Sequence, residues 1–257
     1  MTWTTVPRFE TVGKIVDILE QTNFVHIRGT PASGKSTLLQ LVGLYLSQQG
    51  THVCSVTRWR QQTDISSNPQ GWIQYLSAAA GMPDNQDAIR LRASNTVILI
   101  DEGQTAYSDE SFWNDCVKWI IGLPSSALRI VLAAGYGSLT ADEDAVTPVR
   151  IRRESVIEIF HDNPIHPGNS PHPGIYFNID EFEQLFAANE RYYSVTFTQA
   201  FRDKVWKLTG GHTGAVADLL YHARKTSVCS PHSRFVWIVG SNRSLGRTAK
   251  QAPWRAD

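Results

Sequence analysis

Apolar residues return along this chain in two alternating rhythms, one of three to four positions and one of short unbroken or alternating runs. Val12, Ile15, Val16, Ile18 and Leu19 leave Lys14, Asp17 and Glu20 on the other side, which predicts an amphipathic helix over 11–21. A β-branched and aromatic run at 24–28 then predicts a buried strand, and the apolar positions of 38–46 predict a core-facing helix. Gln49-Gly50 is a stop signal, after which 51–57 alternates like a strand. A helix is expected to start near Ser67-Asn68-Pro69, with Trp72, Ile73, Tyr75, Leu76 and Ala79 on its apolar side. Further strands are predicted at 96–100, 127–134 and 154–160, the last alternating as befits a sheet edge. Between them an amphipathic helix is expected over 109–123, through Phe112, Trp113, Cys116, Val117, Trp119, Ile120 and Ile121. From Asp180 the pattern turns wholly helical, at 181–188, 198–208 and 214–224.

This alternation of strand and helix implies an α/β core over 1–162. A stiff stretch at 163–179, broken by Pro164, Pro167, Pro171 and Pro173, reads as a linker, and 180–228 reads as a small helical lid. Residues 229–257 hold one strand-like run, 234–239, followed by a basic, aperiodic end expected to be poorly ordered.

Two turns between elements carry chemistry. The first, Gly29-Thr30-Pro31-Ala32-Ser33-Gly34-Lys35-Ser36-Thr37, fits G-x-x-x-x-G-K-[ST] and lies between a predicted strand and helix. Gly29 and Gly34 allow backbone N–H groups to wrap a phosphate, and the helix that follows points its positive end at the same anion. Lys35 is placed for the β- and γ-phosphates, the Ser36 hydroxyl for Mg²⁺, and Thr37 for the α-phosphate side. The second turn ends the apolar strand 96–100 with Asp101-Glu102. Burial explains the strand but not the acids. Asp101 is a candidate for orienting Mg²⁺, and Glu102 for polarising an attacking water as general base.

Lesser candidates surround these. Tyr136 and Ser138, after the strand 127–134, are candidate sensors of the γ-phosphate, and His212 in the glycine turn 210–214 is a candidate lid contact. The segment 6–10 is a candidate for touching the base. Arg58 and Arg60 flank Trp59, and Arg150, Arg152 and Arg153 form a basic turn that reads as solvated. His161, His166 and His172 match no metal spacing.

Composition changes this picture little. In 257 residues Lys plus Arg and Asp plus Glu are 24 each, so total charge gives no support to a nucleic-acid or membrane-surface partner. A hydrophobic share of 42% allows a sizeable core. The three cysteines, Cys54, Cys116 and Cys229, form no C-x-x-C pair, which speaks against a disulfide framework and for a reducing compartment. Neither a signal peptide nor a membrane span is apparent, so an intracellular location, cytoplasmic or nuclear, is expected.

Together these motifs resemble the additional-strand P-loop ATPases, the group that contains AAA+ and STAND proteins. The stretches 26–37, Asp101-Glu102-Gly103-Gln104 and 208–216 are similar to the ATPase module of Crinkler and retrotransposon-hot-spot-like effector proteins, with Thr213 where that group often has proline. The resemblance implies a three-layer α/β P-loop NTPase with a five-stranded, mostly parallel sheet and a helical lid. It also implies ATP binding, slow hydrolysis and a switch role, with Mg²⁺ expected from Ser36 and Asp101; a protein partner or self-association stays open. No Asn-Lys-x-Asp guanine-reading element occurs, which favours adenine. A nucleotide-binding interaction module without turnover and a small-molecule P-loop kinase stay open as alternatives.

Overall fold

The computed structural model describes residues 6–56, 72, 74–76, 78, 95–122, 128–135, 149, 151–159 and 172–228. Five strands, β1 (Phe24–Gly29), β2 (His52–Val56), β3 (Thr96–Ile100), β4 (Leu128–Gly135) and β5 (Val156–Ile157), form one sheet in the order β2-β3-β4-β1-β5. Every pairing is parallel, with Gly29 opposite Gly135 and Ile100 opposite Leu132. β4 thus lies between the strand leading to the glycine loop and the strand ending in the two acids. Parallel strands need crossovers, and those crossovers cover both faces.

Alternate residues of each strand explain the three layers. Val25, Ile27, Val97, Leu99 and Val131 face α1 (Phe9–Thr22) and α2 (Lys35–Gln48), meeting Ile15, Leu19, Leu38 and Val42. Phe24, Ile98, Ile100, Ile130 and Leu132 face the other way, against Trp72, Phe112, Trp113, Cys116 and Ile120. The Trp72 indole is buried and donates to Ser111 Oγ at 2.8 Å, in keeping with a core role.

Two elements differ from expectation. The helix expected over 109–123 starts at 110 but widens to π-type winding over Phe112–Val117 before returning to α-helix at α3 (Lys118–Ile121). Its buried residues, Phe112, Trp113, Cys116, Val117 and Ile120, return every four positions, and winding wider than 3.6 residues per turn keeps both columns on the sheet. The fifth strand keeps two residues instead of the seven expected: Arg153–Ser155 is a 3-10 turn. Beyond Ile157 the carbonyls of Glu158 and Ile159 accept from the N–H groups of Ile175 and Tyr176 at 2.8 and 2.9 Å, so the returning chain takes those bonds.

Three helices follow: α4 (Ile179–Tyr193), α5 (Gln199–Thr209) and α6 (Thr213–Val228). α4 starts on a capping box in which Asn178 Oδ1 accepts from the Glu181 N–H and Glu181 Oε2 accepts from the Asn178 N–H. Thr198 caps α5 at Phe201 N–H, and Gly210, at φ 55°, closes it. Phe182, Phe186, Val205, Val216 and Leu220 make a separate core, which Val6 from the start of the chain joins.

Candidate nucleotide-binding site

The glycine loop closes between β1 and α2 because its backbone can do what few residues allow. Gly34 sits at φ 95° and Ala32 at φ 58°, both left-handed, and Ser33 N–H turns back to the Thr30 carbonyl at 3.3 Å. Thr30, Pro31, Ala32, Gly34, Lys35, Ser36 and Thr37 line a cleft of about 1090 Å³ at the carboxyl end of the sheet. Gly29 and Ser33 lie beneath the loop: a Cβ on Gly29 would be 2.7 Å from both Ser33 Oγ and Ile175 Cδ1. The hydroxyls of Thr30 and Ser33 are buried without a hydrogen-bond partner among the described residues.

Lys35 Nζ donates to the carbonyls of Gly29 at 3.0 Å and Thr30 at 2.8 Å. Burial lowers the pKa of its ammonium below the ordinary lysine value, and the charges of Glu102 and then Asp101 partly restore it. Residues 35, 101 and 102 are therefore neighbours in space. Glu102 lies on the cleft wall, and Asp101, one residue back, accepts at Oδ1 from the Glu102 N–H at 3.0 Å. Asp101 N–H is held by the Val56 carbonyl at 2.9 Å, fixing the turn to the strand beside it.

The last helix starts against the loop itself. The Thr213 hydroxyl donates to the Ser33 carbonyl, and Gly214 N–H donates to the Ala32 carbonyl at 3.1 Å. The approach is close enough that a Cβ at Gly214 would lie 2.3 Å from that carbonyl oxygen. His212 is not among the residues that line the cleft; its Nδ1 accepts from Ala215 N–H at 3.2 Å and caps α6, while its ring lies 4.8 Å from that of Tyr176. Tyr136, Ser138, Arg58, Trp59, Arg60, Arg150, His161, His166, Cys229 and the end 229–257 lie outside the described residues. Arg152 pairs with Glu154 at 4.0 Å on the surface.

The same cleft has an apolar part, lined by Val6, Leu41, Phe177, Leu185 and Ala217. Phe177 was hidden in a proline-rich stretch whose described part, 172–178, is packed against the core. Its anchor is Arg8, from the segment expected near the base. Nη1 donates to the Ile175 carbonyl at 2.8 Å, and Nη2 to those of Gly174 and Tyr176 at 2.9 and 3.0 Å. Nη2 also pairs with Glu181 Oε2 at 3.0 Å. Burial pushes the Arg8 pKa down and Glu181 opposes that shift. Nothing in the local pattern marks Arg8 for this role.

Mg²⁺ fits the donors present. Ser36 lines the cleft with a hydroxyl oxygen and Asp101, near enough for its charge to act on Lys35, offers a carboxylate, while no group of three or more His, Cys, Asp or Glu side chains able to hold a metal exists among the described residues. Magnesium held by one or two side chains and completed by phosphate oxygens is the usual arrangement in such sites.

No protein-family model and no curated protein matches the chain. Among solved structures it is similar to a Walker-type ATPase of Pyrococcus abyssi, with a TM-score of 0.53 and 13% identity, over 86% of this chain and 69% of that one. A point mutant of Thermotoga maritima RuvB follows at 0.46 and 15%, over 86% and 63%, and AMPPCP-bound DnaA from Aquifex aeolicus at 0.37 and 15%, over 83% and 65%. The chain thus spans less than two thirds of the RuvB and DnaA chains. The first likeness, with the all-parallel five-stranded sheet, shows a three-layer α/β fold shared with that protein. No helix among the described residues is long and apolar enough to cross a membrane.

Proposed function

We propose that this chain binds ATP with Mg²⁺ and hydrolyses it slowly, so that the state of the nucleotide sets how the helical lid sits on the core. The observation that carries the reading is the meeting of Lys35, Ser36 and Glu102 on one cleft whose phosphate loop is also hydrogen-bonded by the lid. In this reading the loop from Gly29 to Thr37 holds the phosphates and Lys35 exchanges its two carbonyl partners for phosphate oxygens. Ser36 and Asp101 hold Mg²⁺, which when bound offsets phosphate charge. Glu102 orients and deprotonates the attacking water. The apolar wall from Val6 to Ala217 accepts the base by stacking and burial.

Thr213 and Gly214 donate to the Ser33 and Ala32 carbonyls within the loop itself, so in this reading a change at the phosphate reaches the lid through one or two bonds. The resemblance to the ATPase modules of Crinkler-like effectors supports a switch role of this kind, with a protein partner or a second copy as its reader.

Calorimetry of ATP, ADP and GTP with Mg²⁺ on wild type and Lys35→Ala tests the binding reading. ATP is expected to bind wild type and to lose at least about tenfold in affinity in the variant, the equivalent of one charge-assisted contact. Equal binding by both proteins overturns it. Phosphate release by wild type and not by Glu102→Gln is the expected result for turnover.

A further inference from the structure

The chain turns sharply after β3, and the turn has a purpose that the two acids alone do not explain. Glu102 adopts φ 55°, a backbone that side chains rarely take. Gly103 follows where an added Cβ would lie 2.2 Å from Leu132 Cδ1, so the next segment lies flat on β4. That segment, Gly103–Ser108, is a 3-10 helix, in which residues three apart stand one above the other. Gln104 and Tyr107 therefore face the same way, toward the end of β4.

Both grip the peptide groups of Gly135. Gly135 N–H donates to Gln104 Oε1 at 3.4 Å, and the Gly135 carbonyl accepts from the Tyr107 hydroxyl at 3.2 Å. Tyr107 is itself held from behind, with its oxygen 2.9 Å from His26 Nε2 and its ring stacked on Trp113 at 6.3 Å. The other end of Gln104 faces the site: Nε2 donates to Glu102 Oε2 at 2.7 Å. Glu102, Gln104, Gly135 and Lys35 all line the same cleft.

Building on the hydrolytic role proposed for Glu102, we infer that Gln104 is its positioning residue. It ties one carboxylate oxygen to the rigid end of β4 and leaves Oε1 to take the proton. In the reaction the water oxygen attacks the terminal phosphorus. The bond from phosphorus to the β,γ-bridging oxygen breaks, its electron pair leaving with the diphosphate, and the water's proton passes to Glu102 and then to solvent. Gln104 exchanges no proton. It fixes where the carboxylate stands when the bond forms, and an exposed acid on a surface turn would otherwise sample several rotamers.

The test compares wild type, Gln104→Met, Glu102→Gln and the double variant, measuring Mg·ATP affinity by calorimetry and phosphate release at saturating ATP. Methionine keeps the length of the side chain and removes both hydrogen bonds. The expected result for Gln104→Met is a kcat lower by roughly 10- to 100-fold with Kd and KM unchanged. The double variant is expected to be no slower than Glu102→Gln alone, because nothing is left to position. A purely structural role would give losses that multiply. Such multiplication, or a wild-type kcat in Gln104→Met, overturns the inference while nucleotide binding stands. Binding without phosphate release by wild type also overturns it and leaves the binding reading intact, whereas wild type failing to bind ATP removes both. Should Gln104→Met not fold, Gln104→Glu carries the same expectations, since it keeps the shape and the acceptor for Gly135 N–H but has no donor for Glu102.

Discussion

Replacing Arg8 by methionine is the most demanding check on how the three late helices are held. The Arg8 and Glu181 side chains are only 3% and 5% exposed, and their ion pair at 3.0 Å links the start of α1 to the first turn of α4. Methionine fills much of the same volume but withdraws the cation and all the donors that serve the carbonyls of Gly174, Ile175 and Tyr176. Glu181 keeps the Thr11 hydroxyl at 2.5 Å and the Asn178 N–H at 3.2 Å, yet its charge stays buried without Arg8. Removing one partner of a buried pair costs about 3–5 kcal/mol, a large part of the 5–15 kcal/mol that holds a typical domain folded. With about 2–4 °C per kcal/mol for a chain of this size, the midpoint should fall by about 6–20 °C.

Urea and thermal unfolding followed by circular dichroism would measure this loss, and two controls give it meaning. Lys14→Met breaks the Lys14–Glu10 pair, which is shorter at 2.7 Å but 27% and 67% exposed, and should cost no more than about 0.5 kcal/mol. Arg8→Met with Glu181→Gln should recover part of the loss, since no uncompensated charge remains. An Arg8→Met protein within about 1 kcal/mol of wild type would refute the argument, because desolvation at this pair would then be unimportant.

Other outcomes follow from single groups. His26 is buried, and desolvation first, with Arg28 second, lowers its pKa to about 3. The folded state thus refuses a proton that the unfolded chain binds below its ordinary pKa of about 6.5. Between those values the unfolded state binds more protons, so stability falls on acidification, by up to about 1.4 kcal/mol per pH unit from this group. His26→Gln should flatten that slope in urea titrations from pH 7 to 4, and an unchanged slope would refute the assignment. Two glycines separate local from tertiary effects. Gly13, inside α1 with nothing within 4 Å of an added Cβ, should tolerate alanine with a gain of about 0.5–1 kcal/mol. Gly214→Ala should instead lose about 1–3 kcal/mol, because its Cβ would meet the Ala32 carbonyl, and urea midpoints of the two variants should move in opposite directions.

Local pattern carried far into this protein. The glycine loop, the apolar strand before Asp101 and the three late helices could be placed from spacing alone, since hydrophobic period and loop chemistry are properties of neighbouring residues. Even the convergence of Lys35 with Asp101 and Glu102 follows once two parallel strands are assumed to end at the same edge. The rest depended on contacts between distant segments. β4 between β1 and β3, Arg8 closing on a stretch more than a hundred and sixty residues away, and Gln104 bridging Glu102 to Gly135 leave no periodic trace. A buried arginine and a surface one look the same in a sequence, and a glycine needed for close approach looks like one in an open turn. Only folding decides which groups lose their water, and from that loss come the buried Arg8–Glu181 pair and the silent histidine.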